Sequence, residues 1–241
     1  METTIQISGL SKSYAGKKVI DNISLTVSSG EVYGLLGANG AGKSTTIECI
    51  LGTRKADAGK IRILGLDPHK DRKPIFEQVG VQFQESNYPD KIRVKELCEE
   101  TACLYRQPAE YEPLLSRFGL AEKKNAFVTE LSGGQKQKLF IILALIADPK
   151  VVFLDELTTG LDTKARRNVW KSLLELKEQG LTIFLSSHFM DEVEMLCDRI
   201  SILRDSRFVF TGTVQEAMEQ SCCEKFEDAY LWFTGEEADD E

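Results

Sequence analysis

The sequence predicts an α/β fold: a mainly parallel core sheet flanked by helices, with a small antiparallel β layer contributed by the N-terminal part. Three observations carry this expectation. Strand-like apolar runs alternate with stretches of helical periodicity along most of the chain, which is the pattern of parallel crossover units. Val151-Val152-Phe153-Leu154 is apolar without interruption, as suits a strand covered on both faces. The first thirty residues instead place apolar side chains two apart (Ile5 and Ile7; Ile23, Leu25 and Val27), as suits a strand with one wet face.

The remaining elements follow in order. Ser29-Gly30 turns the chain into a buried strand over Val32–Leu36. A Gly-rich loop leads to a helix from about Gly42 to Leu51, stopped near Gly52. Ile61 and Ile63 mark a short strand, and Val79 to Phe83 marks another. Residues 86–130 change character. Their apolar positions (Val94, Leu97, Cys98, Leu104; Leu114, Leu115, Phe118) recur at helical spacing, so a helical subdomain is expected there, inserted between strands. A helix over Gly133–Ala147 precedes the Val151 strand. A helix from about Asp162 to Gln179, a strand over Thr182–Leu185, a helix over Met190–Cys197 and strands near Ile200–Leu203 and Phe208–Phe210 complete the pattern.

Length and charge narrow the function. The 241 residues suffice for a packed core without staples. The formal net charge is −8, which disfavours wrapping of a nucleic-acid backbone by bulk attraction. Most of that charge lies in residues 224–241, which hold eight acids and one base, Lys225; residues 1–223 carry −1. A body over 1–223 and an acidic tail over 224–241 are therefore expected. The last tail residues have a disordered composition, whereas Ala229-Tyr230-Leu231-Trp232-Phe233 is apolar enough to dock on the body. The longest apolar run, Phe140–Ala147, is far short of the roughly 20 residues of a membrane helix and reads as a buried helix face. The N-terminal residues carry no secretory pattern. Six cysteines without paired CxxC units read as reduced thiols, and His69, with no motif partner, as surface.

Three motifs carry chemistry. Gly37-Ala38-Asn39-Gly40-Ala41-Gly42-Lys43-Ser44 fits GxxxxGK[ST] between a predicted strand and a predicted helix, followed by Thr45. Its glycines let consecutive N–H groups turn toward phosphate oxygens, and the helix N-terminus adds a positive field. Lys43 suits the β- and γ-phosphates and the Ser44 hydroxyl suits Mg2+. The apolar strand over 151–154 ends in Asp155-Glu156, a metal-holding carboxylate followed by one placed to orient or deprotonate water. Ser132-Gly133-Gly134-Gln135 opens a helix with a hydroxyl, free N–H groups and no side-chain bulk, so it forms a second anion cradle.

With these residues the chain resembles the ATP-binding subunit of ABC transporters over about residues 3–220, and is most like the drug and antibiotic exporter branch. The resemblance implies a P-loop NTPase of the ABC ATPase type. Gly37–Thr45 matches the Walker A loop, Leu131–Gln135 the signature, Val151–Asp155 the Walker B strand and Glu156 the catalytic glutamate. Thr159-Gly160-Leu161-Asp162 looks like the D-loop and His188, after Ser187, like the switch histidine. Gln84 matches the Q-loop glutamine, with Gln82 the less well spaced alternative, and Tyr14 matches the aromatic that stacks on adenine. The chain departs from the family at Leu157, where Pro is usual, and at Lys138, where Arg is usual; neither removes a catalytic group.

The resemblance implies ATP as substrate with Mg2+ held by Ser44, Gln84 and Asp155, and catalysis by Glu156, His188 and Gln84. It implies a head-to-tail dimer, homo- or heteromeric, in which the Ser132–Gln135 cradle of one subunit faces the Gly37–Ser44 cradle of the other. An integral membrane permease subunit is the expected partner, bound through the helical segment near 86–130. Export and a place on the inner face of the cell membrane follow by the same resemblance, and no nucleic acid is expected. The alternative is a soluble ABC-type ATPase acting on nucleic acid or ribosomes; the basic linkers, paired ATP-binding halves and long coiled coils of such proteins have no counterpart here.

Overall fold

The structure is a computed structural model that describes residues 2–82, 88–89 and 91–235. Along the chain the strands are β1 (Thr3–Tyr14), β2 (Lys17–Ser28), β3 (Val32–Leu36), β4 (Ala58–Ile63), β5 (Val79–Gln82), β6 (Val151–Asp155), β7 (Thr182–Ser187), β8 (Arg199–Arg204) and β9 (Arg207–Gly212). The helices are α1 (Lys43–Ile50), α2 (Arg72–Phe76), α3 (Val94–Ala102), α4 (Tyr111–Arg117), α5 (Gly133–Leu145), α6 (Thr163–Glu178), α7 (Met190–Leu196), α8 (Val214–Ser221) and α9 (Phe226–Thr234). No described helix is long and apolar enough to cross a membrane. The chain divides into two compact units, residues 1–75 with 184–241, and residues 76–183.

In the first unit, β1 pairs antiparallel with β2 on one side and β4 on the other, which gives the expected antiparallel layer. The β1–β2 connection is the two-residue turn Ala15-Gly16, both at positive φ (47° and 81°), the geometry that matches the twist of a hairpin. The apolar positions that alternate along β1 and β2 (Ile5, Ile7, Leu10, Ile20, Ile23, Leu25, Val27) are all buried. In the same unit β3 pairs parallel with β8. All five residues of β3 are buried, as a continuous apolar strand demands.

β9 lies antiparallel to β8, so this last strand is a hairpin rather than another crossover. The signal was the dipeptide Asp205-Ser206, both at positive φ (47° and 69°), between Arg204 and its partner Arg207. Beyond β9 the expected apolar cluster docks. Phe226, Ala229, Tyr230 and Phe233 of α9 join Leu36, Val193, Ile200, Ile202 and Phe210 in one core cluster. The preceding α8, which the hydrophobic pattern does not announce, starts at a capping box: Thr213 Oγ1 accepts from Glu216 N and Glu216 Oε2 accepts from Thr213 N.

In the second unit β5 pairs parallel with β6, with Val79 opposite Val151 and Gln82 opposite Leu154. This strand is pressed against α5. A Cβ on Gly80 would stand 2.0 Å from the Ala144 carbonyl oxygen, so no other residue fits there. The helical character of the inserted segment holds for α3 and α4, where Val94, Cys98 and Leu115 are buried, as is Phe118 at the C-terminal end of α4. Leu104 corrects the expected periodicity: α3 ends at Ala102 and Leu104 is 74% exposed in the following turn. Its seven-residue spacing from Leu97 matched a helix that had already stopped.

Candidate functional site

The first unit builds the Gly37–Thr45 loop between β3 and α1. Gly37, Gly40 and Gly42 adopt φ of 156°, 80° and 109°. A Cβ on Gly37 would come 2.6 Å from the Leu203 carbonyl oxygen, and one on Gly42 would come 2.9 Å from that of Val19. The backbone thus curls against β8 and β2 in a shape that side chains would block. Lys43 is buried, and its Nζ donates to the Gly37 carbonyl at 2.7 Å and that of Ala38 at 3.1 Å. The ammonium therefore closes the loop from inside while Ala38, Asn39 and Gly40 stay exposed. Ser44, also exposed, stands in the first turn of α1, where backbone N–H groups lack intrahelical partners. An ammonium, a first-turn hydroxyl and these N–H groups make a donor set that fits the phosphates of a nucleotide.

Two further predicted residues belong to this unit. Tyr14 ends β1, is 37% exposed, and has the Lys12 ammonium and the Arg54 guanidinium each 5.3 Å from its ring centroid. Lys12 and the Ser13 N–H both bind Asp57, which fixes the end of β1 and holds the Asp57 carboxyl below its ordinary range. The exposed ring, lit by two cations, is chemically suited to a base carrying an anionic tail. His188 follows β7 and is exposed, its ring 4.2 Å from that of Phe189. The Phe189 N–H donates to Ser187 Oγ at 3.0 Å and pins the turn.

The second unit builds the acidic strand end and the Ser-Gly-Gly cradle. Asp155 closes β6 and is 4% exposed; Glu156 follows it at φ +52°, a conformation that a residue with a Cβ adopts at a cost of about 1–2 kcal/mol. Such strain persists where the surroundings impose it and gathers at functional sites. The Thr159 hydroxyl lies 3.5 Å from Glu156 Oε2, and Leu157 is fully buried beneath the turn. Ser132 caps α5 reciprocally: its Oγ accepts from Gln135 N at 3.3 Å, and Gln135 Oε1 accepts from Ser132 N at 3.0 Å. Gly133 faces open space, whereas a Cβ on Gly134 would stand 3.0 Å from Leu161 Cδ2. Asp162 caps α6 by accepting from Ala165 N at 2.8 Å.

The first unit thus holds Tyr14, Gly37–Thr45 and His188, and the second holds Ser132–Gln135, Asp155, Glu156 and Asp162. Gln84 lies outside the described residues. Gln82, its alternative, ends β5 and is buried. Sequence reasoning missed Gln137, on α5, whose side-chain amide reaches the carbonyls of Glu156 and Leu157. No motif rule points to it; only its nearness to the signature could have.

A phosphate loop, an acidic strand end and a second helix-opening cradle in one α/β chain define a nucleotide-hydrolysing P-loop protein. Comparison narrows the class. A profile of the ABC transporter family matches residues 20–159. The chain is 40% identical over 223 residues to the Nod factor export ATP-binding protein I of Rhizobium etli, covering 90% of this chain and 71% of that one. It is 39% identical over 216 residues to the protein of the same description from Paraburkholderia xenovorans, covering 88% and 71%. Among solved structures, an ATP-binding subunit of an ABC transporter superposes with a TM-score of 0.88 at 29% identity, covering 96% of this chain and all of that one. An ATP-binding cassette in its ADP conformation matches with a TM-score of 0.81 at 25% identity, covering 96% and 99%. The chain belongs to the ABC transporter family, as an ATP-binding subunit with ATPase activity.

Proposed function

We propose that this subunit couples binding and hydrolysis of ATP, in a head-to-tail dimer, to export by a separate integral membrane subunit. The observation that carries the reading is the pair of anion cradles, Gly37–Ser44 and Ser132–Gln135, which one chain builds in two different compact units. One nucleotide needs both kinds of donor around its phosphates, and a head-to-tail dimer supplies the second from the other subunit. That partner subunit is a second copy or a related ATP-binding chain.

In this reading Gly37, Asn39, Gly40, Ala41, Gly42, Lys43, Ser44 and Thr45 hold the phosphates, and Tyr14 stacks on the base. The Ser44 hydroxyl and the Asp155 carboxylate, a hard oxygen donor set, would hold Mg2+ with Gln84, and the ion offsets phosphate charge when bound. Glu156 orients and deprotonates the attacking water, and His188 contacts the γ-phosphate. Ser132, Gly133, Gly134 and Gln135 act in trans, and Asp162 contacts the partner subunit. The helical segment within 86–130 contacts the membrane subunit, which places the chain on the inner face of the cell membrane. Relatives described as export ATP-binding proteins support the direction.

The test is affinity purification from detergent-solubilised membranes, with ATPase assay of the recovered complex. Recovery of an integral membrane protein whose presence raises phosphate release supports the reading. Recovery in the soluble fraction with ribosomes or nucleic acid attached contradicts it.

A further inference from the structure

Gln137 stands at the second turn of α5, three and four residues after the signature glycines, so it shares a helix face with them. Its Nε2 donates to the Leu157 carbonyl at 2.8 Å and to the Glu156 carbonyl at 3.3 Å. Both partners are acceptors only, which fixes the amide with its nitrogen toward the turn. One turn earlier on the same face, Gly134 packs on Leu161. The face of α5 that opens with the signature therefore runs along the segment 156–161, touching it at both ends.

Glu156 needs this support. Its φ of +52° is unfavourable for a residue with a Cβ, and the following position is Leu157, with no proline ring to limit the backbone. Two hydrogen bonds to the carbonyls that flank the Leu157 Cα, the first of them on the 156–157 peptide, hold the strained turn from outside the strand.

We infer that Gln137 is a positioning residue for hydrolysis: its amide holds the Glu156 turn in register and ties it to the signature helix, so that contact at the signature is passed to the carboxylate that activates water. The inference rests on the reading of Glu156 as the general base. Gln137 touches no reacting atom; it sets where the Glu156 backbone stands, and small misplacements of a catalytic group are costly.

The experiment compares Gln137→Met, which keeps the volume and removes the donors, with Gln137→Lys, which keeps donors and changes the shape. ATP turnover, the KM for ATP, thermal melting and ATP-dependent dimer formation are measured on the purified subunit, with Glu156→Gln as control. The expected result is a kcat lowered roughly 10- to 100-fold in Gln137→Met, with KM and melting near those of the parent and dimers accumulating in ATP. Gln137→Lys retains more activity than Gln137→Met. Parental kcat in Gln137→Met overturns the inference because the donors are then dispensable; a higher activity in Gln137→Met than in Gln137→Lys, or a joint shift of kcat, KM and melting, overturns it by marking a packing role. If Glu156→Gln is inactive while Gln137→Met is normal, the tether fails and the base assignment stands. If Glu156→Gln itself turns over normally, the base assignment fails and takes the tether with it.

Discussion

The phosphate loop and the Glu156 turn are both places where the backbone leaves the ordinary regions, and they reach that state by opposite routes. In the loop, the unusual φ values fall on Gly37, Gly40 and Gly42, for which they carry no Cβ cost. At the acidic strand end, the unusual φ falls on a glutamate, flanked by buried Asp155 and Leu157 and held by Gln137. The Gly37–Ser44 loop is encoded locally, residue by residue. The Glu156 turn is imposed by its surroundings, and its strain is the cost of having a carboxylate where a glycine would sit more easily.

The largest expected effect that separates the two regions is on nucleotide affinity. Lys43→Ala removes the ammonium that closes the loop, a loss of charge-assisted bonds worth about 1.5–3 kcal/mol, so ATP affinity falls roughly 10- to 100-fold. Equilibrium titration with a fluorescent ATP analogue checks this. Affinity within about two-fold of the parent would break the claim that the loop is the cradle.

Next comes a pair of glycine substitutions. Gly42→Ala adds strain at φ 109° and a contact on the Val19 carbonyl, and should cost about 1–3 kcal/mol. Gly40→Ala, at φ 80° with open space around it, should cost about 1 kcal/mol. Chemical denaturation of the two variants side by side reads the difference, and equal losses would mean that the contact on β2 is soft. At the other region, Glu156→Gly should abolish turnover yet stabilise the fold by about 0.5–1 kcal/mol, the relieved strain less the entropy that glycine brings. A destabilised Glu156→Gly would mean that the turn is not strained.

The smallest effect concerns two buried thiols, one in each unit. Burial pushes Cys49, on α1, up to about 11 and Cys98, on α3, up to about 12, from an ordinary 9.0. A raised folded-state value means that the folded protein holds the proton more tightly. Each thiol therefore supports the fold below pH 9 and withdraws that support as pH climbs toward 11 and 12. At neutral pH an alkylating agent should modify exposed Cys103 and Cys222 and spare both buried thiols until denaturant is added. Mass spectrometry of the labelled protein shows which unit opens first.

The contrast also explains what was legible in the sequence. Gly37–Ser44 could be read directly, because glycines at fixed offsets record the backbone they permit. That Ser132 opens a helix was also legible, because a hydroxyl followed by two glycines is a local signal; the reciprocal Ser132–Gln135 cap came from the structure. The antiparallel β8–β9 hairpin was missed because Asp205-Ser206 carries no glycine to mark its positive φ. Leu104 was misread because periodicity does not say where a helix ends. Gln137 was invisible because its partners are backbone carbonyls about twenty residues away, and any residue there presents the same oxygen.

The most direct test measures nucleotide binding and phosphate release on one preparation of Glu156→Gln. A separately encoded cradle and catalytic turn predict ATP affinity close to the parent, with phosphate release lowered at least about 100-fold, the lower end for loss of a general base. Loss of binding together with turnover, or phosphate release at the parental rate, would contradict that division.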